Sequence, residues 1–421
     1  MIVSFELTNK NTHWRSESLL KLDFGVWTYD FLTVQKNVEV FKNLVKREQN
    51  LDIDVKLTNI IWGDYAKKMA DILASSEPMD VIYVASDWLV KWIKAGWLAP
   101  IQRYHSDIID YKEDLEQFDI ENMSYKGEMY GLPYYSGFYA FMYNERLLER
   151  AGFDEPPKTW DEVLEQSLKM KKGGIVKYPV VFPLLIKGKY PGFSVTFFGM
   201  AQSYPNGGCF DKELNPKFDS GSPAFNVFSW LINAIYKHKI LSAQSLEMGT
   251  DDAVNSMKMA NNAFIICPSY ALANLNTKKG LPSYDVTQPT PSKVAGEVKL
   301  ALMPETGHTA GYTQMYALTN KGANRGSKII AIVWRLIEFF GGKTDVNDKG
   351  VKEYYIVKKW AIERGLTFGI KSLWKDPDVL KVFGEWCDIE MMRKQKELTM
   401  SKMGNKAPWF LDWMTFVANP W

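Results

Sequence analysis

The chain has 421 residues, which is too long for a single hydrophobic core and predicts two or three domains. Apolar residues make up 46% and charged residues 24% of the chain, and the formal net charge is +2. This balance gives no reason to expect a nucleic-acid partner or an anionic membrane surface, and no run of about 18 apolar residues predicts a membrane span.

The first 90 residues alternate between strand-like and helix-like patterns. Strands are predicted over 19–28, 51–60 and 80–84, which are rich in apolar and β-branched residues. Helices are predicted over 34–50 and 62–78, where apolar residues recur at helical spacing. This β-α-β-α-β order predicts a mainly parallel, doubly wound sheet.

Farther along, the patterns stay mixed. The segment 127–144 consists of two apolar runs in which Pro133 and Gly137 indicate a bend or a crossover between domains. A helix is predicted over 156–172, because Thr159 precedes a glutamate by three residues, as in a capping box. The remaining predictions are a strand over 180–185, a helix over 222–240, a strand and helix over 262–276, two strands over 298–320, a helix over 325–343, and helices in the rest of the chain.

Cysteine and histidine are too scattered for a metal centre. Cys209, Cys267 and Cys387 lie far apart, and the four histidines form no His-Glu-x-x-His pair. The run "FFGGKT" at 339–344 lacks the first glycine of a phosphate-binding loop and is interpreted as a glycine-ended helix. We therefore expect free thiols, no bound metal and no cofactor.

Five strand-like runs end in an aromatic residue, in several cases beside a polar one. They are "VWTYDF" (26–31), "VASDW" (84–88), "LPYYS" (132–136), "CPSY" (267–270) and "AGYT" (310–313). Ligands of doubly wound sheets bind outside the carboxyl ends of the strands. Aromatic faces beside short oxygen-bearing side chains suit a sugar, whose ring stacks and whose hydroxyls need acceptors and donors.

Each position also has a packing explanation. Trp27 and Trp62 fit a hydrophobic core, and Asp87 fits a cap for the helix that follows it. The same alternative of simple packing applies to Tyr134, Tyr135, Tyr270 and Tyr312. The coincidence of five such strand ends, rather than any single residue, favours a ligand site.

From about residue 20 on, most of the chain resembles the extracellular solute-binding proteins of bacterial carbohydrate ABC transporters, family 1, in particular the maltose-binding-protein-like group. The most specific stretches are "WGDYAKKMADILASSEPMDVIYVASDWLVKWIKAGWLAPI" and "GEMYGLPYYSGFYAFMYNERLLERAGFDEPPKTWDEVLE". The resemblance implies an α/β fold of the periplasmic-binding-protein type, with two doubly wound lobes joined by a multi-strand hinge that closes around ligand like a Venus flytrap. The implied division is an N-terminal lobe of 1–135 plus 305–345, a C-terminal lobe of 136–304 plus 346–421, and a hinge near 133–137, 303–311 and 341–346.

The resemblance also implies where ligand binds. The loop after the first strand would contribute Tyr29, Asp30 and Phe31, and the third strand would deliver Asp87 with Trp88 beside it. The complete set of expected ligand-binding residues is Trp27, Tyr29, Asp30, Phe31, Trp62, Asp87, Trp88, Tyr134, Tyr135, Tyr270, Gly311, Tyr312 and Thr313. The chain departs from the group at Gly137, where a carboxylate is found near the hinge, and at Trp88, which replaces a basic residue.

None of these positions is Arg or Lys, which anionic ligands usually require. We therefore expect a neutral sugar, oligosaccharide or polyol. A nitrogenous or cationic small molecule, held in an aromatic cage with Asp30 and Asp87, is an alternative. An enzyme acting on glycosides is a weaker one, because no pair of catalytic carboxylates can be identified and no catalytic residue is expected.

The implied partners are a carbohydrate ligand and the permease subunits of an ABC transporter, with no nucleic acid and a monomeric state. The implied location is periplasmic, or extracellular with a lipid anchor. The opening residues do not have the pattern of a signal peptide, because their apolar run is too short.

Overall fold

The computed structural model describes residues 19–27, 31–186, 192–281, 290–402 and 406–416, without the side chains of 31, 32 and 414–416. The predictions for Tyr29, Asp30 and the side chain of Phe31 therefore lie outside the described residues.

The strands lie in two sheets, one large and one a short hairpin. In the described residues they are β1 (Leu20–Trp27), β2 (Ile53–Ile60), β3 (Val81–Ala85), β4 (Ser124–Tyr125), β5 (Glu128–Met129), β6 (Pro133–Asn144), β7 (Val180–Val181), β8 (Phe264–Pro268), β9 (Val298–Ala301), β10 (Thr309–Leu318) and β11 (Thr399–Ser401). The large sheet has the order β2-β1-β3-β10-β6-β8-β7, with β11 paired to β10 and β9 paired to β6.

Helices cover this sheet. In the described residues they are α1 (Phe31–Gln49), α2 (Trp62–Ala74), α3 (Ser86–Lys94), α4 (Gln117–Asn122), α5 (Glu145–Arg150), α6 (Trp160–Lys172), α7 (Phe193–Ser203), α8 (Pro223–Ile232), α9 (Thr250–Lys258), α10 (Ala271–Asn276), α11 (Asn320–Asn324), α12 (Ser327–Gly341), α13 (Tyr355–Arg364), α14 (Pro377–Gly384), α15 (Ile389–Glu397) and α16 (Phe410–Phe416). None of them is long and apolar enough to cross a membrane.

The first half of the sheet confirms the predicted parallel order. β1 pairs in parallel with both β2 and β3, and β10 then runs antiparallel beside β3. Every residue of β3 is buried, as expected for a strand covered on both faces. The helix α2 packs its Tyr65, Met69 and Leu73 side inward, because residues four apart share one helix face.

A single strand joins the two halves of the sheet. The first residues of β6, up to Phe138, pair with β10, and the following residues pair with β8 and β9. Of the two alternatives predicted for Pro133 and Gly137, a bend or a crossover, the structure has no break at Gly137. All twelve residues of β6 form one almost entirely buried strand that crosses from the first half of the sheet to the second. The strand expected over 180–185 is also shorter than predicted and extends only from Val180 to Val181.

The second half has its own aromatic core. Phe141 of β6 stacks on Phe264 of β8 and meets Trp160 at its edge. Trp160 begins α6, and the capping prediction at Thr159 is confirmed, because its hydroxyl accepts a hydrogen bond of 3.1 Å from the backbone of Glu162. The core of this half therefore forms around residues far apart in sequence.

The last segment of the chain returns to the first half. β11, a strand where only helices were predicted, pairs in parallel with β10 through Thr309 and Thr399. Farther on, α16 lies against α3, and its Phe410 ring contacts Phe198 and Phe210 of the second half. The carboxyl-terminal segment therefore touches both halves of the sheet.

Candidate functional site

Asp87 and Trp88 lie in the first turn of α3, directly after β3. Asp87 is not the residue that caps this helix: the cap position is Ala85, and no side chain bonds the free backbone N–H groups there. A carboxylate in the first helical turn is still favoured by the helix dipole. Asp87 therefore lies two residues after the cap position, within the first turn of α3.

Asp87 forms a buried ion pair with a residue that the sequence did not indicate. The Lys402 ammonium lies 2.6 Å from Asp87 Oδ2, and the Lys402 side chain is only 2% exposed. The same ammonium lies 5.3 Å from the ring centre of Tyr139 and 5.4 Å from that of Phe198. Burial favours the neutral amine, but Asp87 and Tyr139 outweigh it and raise the pKa of Lys402, so this side chain is a cation.

A second buried lysine, Lys396, lies on α15. Lys396 Nζ lies 3.3 Å from Asp119 Oδ2 and donates to the hydroxyl of Ser136 on β6. Thr313 of β10 donates its hydroxyl to the other oxygen of Asp119. The charges of Lys396 and Asp119 therefore cancel inside the protein, and Thr313 already has an internal acceptor.

Tyr135 of β6 and Tyr312 of β10 contact each other where these two antiparallel strands are paired. Their hydroxyl groups lie 2.6 Å apart, and both side chains are buried. Gly137 makes room for this pair, because a Cβ at that position would lie 2.5 Å from the Tyr312 hydroxyl. Gly311 has a similar role: a Cβ there would lie 2.3 Å from a methyl carbon of Thr399. Both glycines permit close packing of the strands.

Three predicted tryptophans belong to one aromatic cluster in the first half. Ring centres are 4.9 Å apart between Trp27 and Trp62 and 5.0 Å apart between Trp62 and Trp88. Trp27 and Trp88 are each 7% exposed, whereas Trp62 is partly exposed. The indole nitrogen of Trp27 also lies 3.3 Å from the hydroxyl of Tyr134. Of the three, Trp62 therefore offers the most accessible ring face.

A narrow cavity opens beside this cluster. Its lining is almost wholly apolar and aromatic, and consists of Trp27, Val34, Tyr134, Tyr135, Tyr316, Phe340, Trp360 and Leu366. The cavity thus brings together three of the predicted residues and adds Trp360 from α13, which the sequence did not indicate.

The structure therefore divides the predicted residues. An aromatic group contains Trp27, Trp62, Trp88 and Tyr134, and a polar group contains Asp87, Tyr135, Gly311, Tyr312 and Thr313. Tyr270 is half-buried at the start of α10. The sequence missed Lys396 and Lys402, since their partners lie 277 and 315 residues away and no local pattern indicates them.

No group of three or more His, Cys, Asp or Glu side chains that could hold a metal ion occurs in the described part of the chain. The cysteine thiols of Cys209 and Cys267 are buried, and that of Cys387 is half-buried; all three are free. Burial raises the pKa of each thiol, so none is poised as a thiolate nucleophile.

Comparison with known proteins bears on this site. A family described as "Bacterial extracellular solute-binding protein" matches residues 33–345, which is more than half of the chain. A maltotriose-binding protein of Pyrococcus abyssi is 28% identical over 147 residues, 35% of this chain and 31% of that protein. A probable ABC transporter-binding protein of Deinococcus radiodurans is 24% identical over 281 residues, 64% of this chain and 59% of that protein. The matches thus span less than two thirds of these relatives.

A solved structure resembles the whole described architecture. It is an ABC transporter solute-binding protein of Agrobacterium radiobacter in complex with ribitol, with a TM-score of 0.72 at 15% identity over 94% of this chain and 91% of that one. At this identity the similarity shows a shared fold.

Proposed function

Because this chain belongs to the bacterial extracellular solute-binding proteins, we propose that it is the substrate-binding component of an ABC importer for a neutral, hydroxyl-rich ligand. A sugar, an oligosaccharide or a polyol would bind between the two halves of the sheet and be delivered to permease subunits in the membrane. The protein would act as a monomer, outside the cell membrane, in the periplasm or on a lipid anchor.

One observation carries the choice of a neutral ligand. Two carboxylates of the described residues, Asp87 in the first turn of α3 and Asp119 on α4, are each paired with a buried lysine. At these two positions, hydrogen-bonding groups are therefore present without an unbalanced charge. A charged ligand would need an opposite charge that is free to meet it.

The names of two similar proteins agree with this choice. One binds maltotriose and a structural neighbour holds ribitol, and both compounds are uncharged and rich in hydroxyl groups. A cationic ligand, which the sequence left open, is not favoured at Asp87, because Lys402 already occupies the position of the cation.

The proposed ligand contacts combine the two groups of residues. Trp62, Trp27 and Tyr134 would stack on the apolar face of the ligand, and the other predicted residues, Tyr29, Asp30, Phe31, Asp87, Trp88, Tyr135, Tyr270, Gly311, Tyr312 and Thr313, would line or shape the cleft. Tyr135 and Tyr312 are suited to exchange their mutual hydrogen bond for bonds to ligand hydroxyls, since a tyrosine hydroxyl both donates and accepts.

The proposed lobes follow the pairing of β6. We take 1–135 with 305–345 as one lobe, 136–304 with 346–421 as the other, and segments near 133–137, 303–311 and 341–346 as the hinge. In support, β6 changes its partner from β10 to β8 between Phe138 and Tyr139, and α12 ends at Gly341. Closure would rotate one half against the other about these strands.

Calorimetric titration with a panel of compounds tests the proposal. The panel contains maltotriose, maltose, mannitol and ribitol as neutral ligands, sn-glycerol 3-phosphate as an anion and choline as a cation. We expect at least one neutral compound to bind with a dissociation constant at or below the micromolar range. Tight binding of only the anion or only the cation would contradict the proposal.

The same samples separate a binding protein from an enzyme. After prolonged incubation, chromatography is expected to recover the bound sugar or oligosaccharide unchanged. Appearance of shorter sugars would favour the glycosidase alternative, whose pair of carboxylates would then need to be found by mutation.

A further inference from the structure

The ammonium group of Lys402 lies in surroundings suited to a small amine ligand. A carboxylate oxygen of Asp87 lies 2.6 Å away, and the rings of Tyr139 and Phe198 lie 5.3 and 5.4 Å from the charge. A carboxylate together with aromatic faces is the combination that attracts an alkylammonium ion. In this protein the ammonium group of Lys402 itself occupies that position.

The four residues come from four separate parts of the chain. Asp87 is on α3, Tyr139 on β6 and Phe198 on α7, and Lys402 directly follows β11. The cation therefore comes from the carboxyl-terminal segment, whereas its three partners lie far earlier in the chain. The second oxygen of Asp87, Oδ1, is buried and has no hydrogen-bond partner among the described residues. This oxygen is the one left to accept a hydroxyl.

We propose that Lys402 is a built-in counter-ion that occupies an ammonium site at Asp87 and thereby makes the protein reject cationic ligands. The proposal rests on the proposed function, in which Asp87 receives a hydroxyl of a neutral ligand. With Lys402 in place, Asp87 offers an acceptor without a net charge. Without it, the same carboxylate between two aromatic faces becomes a site for a small amine.

Chemical rescue tests this assignment. Lys402→Ala removes four heavy atoms, three carbons and a nitrogen, and n-propylammonium has the same four. We expect n-propylammonium to raise the Tm of K402A in a saturable way by about 2 °C or more. The wild-type protein, whose site is filled, is expected to show no such rise. n-Propanol at the same concentration, which has the same size and no charge, is expected to leave both proteins unchanged.

The double variant D87N/K402A is the matched control, because it keeps the vacancy and removes its charge. It is expected to lose the response to n-propylammonium. All samples are compared at equal ionic strength, with sodium chloride replacing the amine salt. No response in K402A, an equal response in D87N/K402A, or an equal response in the wild-type protein would overturn the proposal.

The proposal can still be tested if K402A is too unstable to fold in buffer. If the variant has no cooperative unfolding transition in buffer, the measurement becomes recovery of that transition on addition of n-propylammonium, and its absence counts against the proposal. Titration of the wild-type protein with maltotriose and ribitol gives an independent result. Failure of every neutral ligand would reject the proposed function, whereas the amine rescue reports on the Lys402 site alone.

Discussion

Trp62 and Trp88 are neighbours in one aromatic cluster but differ in exposure, and this difference predicts different effects of mutation. Trp88→Ala empties a buried place beside Tyr65, Tyr83 and Trp92, and is expected to lower the free energy of unfolding by about 3–5 kcal/mol. Trp62→Ala is expected to cost about 1 kcal/mol of stability and to weaken ligand binding by about tenfold through loss of stacking.

Urea unfolding and calorimetric titration of the two variants distinguish these roles. The reverse pattern, with W88A stable but defective in binding, would place Trp88 in the ligand site and Trp62 in the core. The sequence allowed both roles for both residues, because a strand end that is rich in aromatics has the same composition in a core and in a cleft.

His105 is expected to make stability depend on pH. Its ring stacks on Trp334 with centres 5.2 Å apart, and burial lowers the pKa of His105 more than the charge of Asp107 raises it. The unfolded chain therefore binds a proton more readily than the folded protein. Stability contributed in this way is present above the ordinary histidine pKa of about 6.5 and is lost as the pH falls below it.

The variant His105→Phe keeps a ring against Trp334 but cannot be protonated. We expect its free energy of unfolding to fall less than that of the wild-type protein between pH 7.5 and pH 5. Equal pH profiles would show that the imidazole is protonated without cost in the folded state.

At the level of elements, β6 is the strand on which both halves of the sheet depend. Gly137→Ala would place a Cβ 2.5 Å from the hydroxyl of Tyr312 and push that ring out of its place. We expect a loss of about 1–3 kcal/mol in unfolding free energy, as is usual for overpacking in a core. In a Tyr312→Ala background, the same glycine substitution is expected to cost much less, because the clash is gone. Equal costs in both backgrounds would locate the strain in the backbone instead.

The sequence predicted the elements whose signals are local. The alternation of β1, α1, β2, α2 and β3 appears in the periodicity of apolar residues, and the cap at Thr159 follows from two residues three apart. The continuity of β6 was missed, because proline and glycine in an apolar run usually mark a bend, whereas here Gly137 accommodates Tyr312 from a neighbouring strand. β11 was missed because three residues carry no readable pattern, and its pairing with β10 depends on distant chain.

At the scale of the whole molecule, binding in a cleft between two lobes is expected to change both the stability of the folded protein and its radius of gyration. A ligand present at 100 times its dissociation constant is expected to stabilise the folded protein by about 2.7 kcal/mol. Closure is expected to reduce the radius of gyration, as measured by small-angle X-ray scattering on the free and saturated protein. A stabilised protein of unchanged radius would indicate that ligand binds a preformed cleft without movement of the lobes.

The two buried lysines also affect how the chain folds as it is made. Lys396 and Lys402 pair with carboxylates that precede them by 277 and 315 residues. Until the end of the chain has emerged, Asp87 and Asp119 are acids in a nascent interior with no counter-charge, and burying such a group is costly. We therefore expect the amino-terminal half to reach its final packing only when synthesis is nearly complete.

A chain ending at residue 390 is expected to be cleaved rapidly by protease, and D87N/D119N in the same truncated chain to be cleaved more slowly. For a member of an extracellular family, a delay of this kind would keep the polypeptide unfolded for as long as it is still being made.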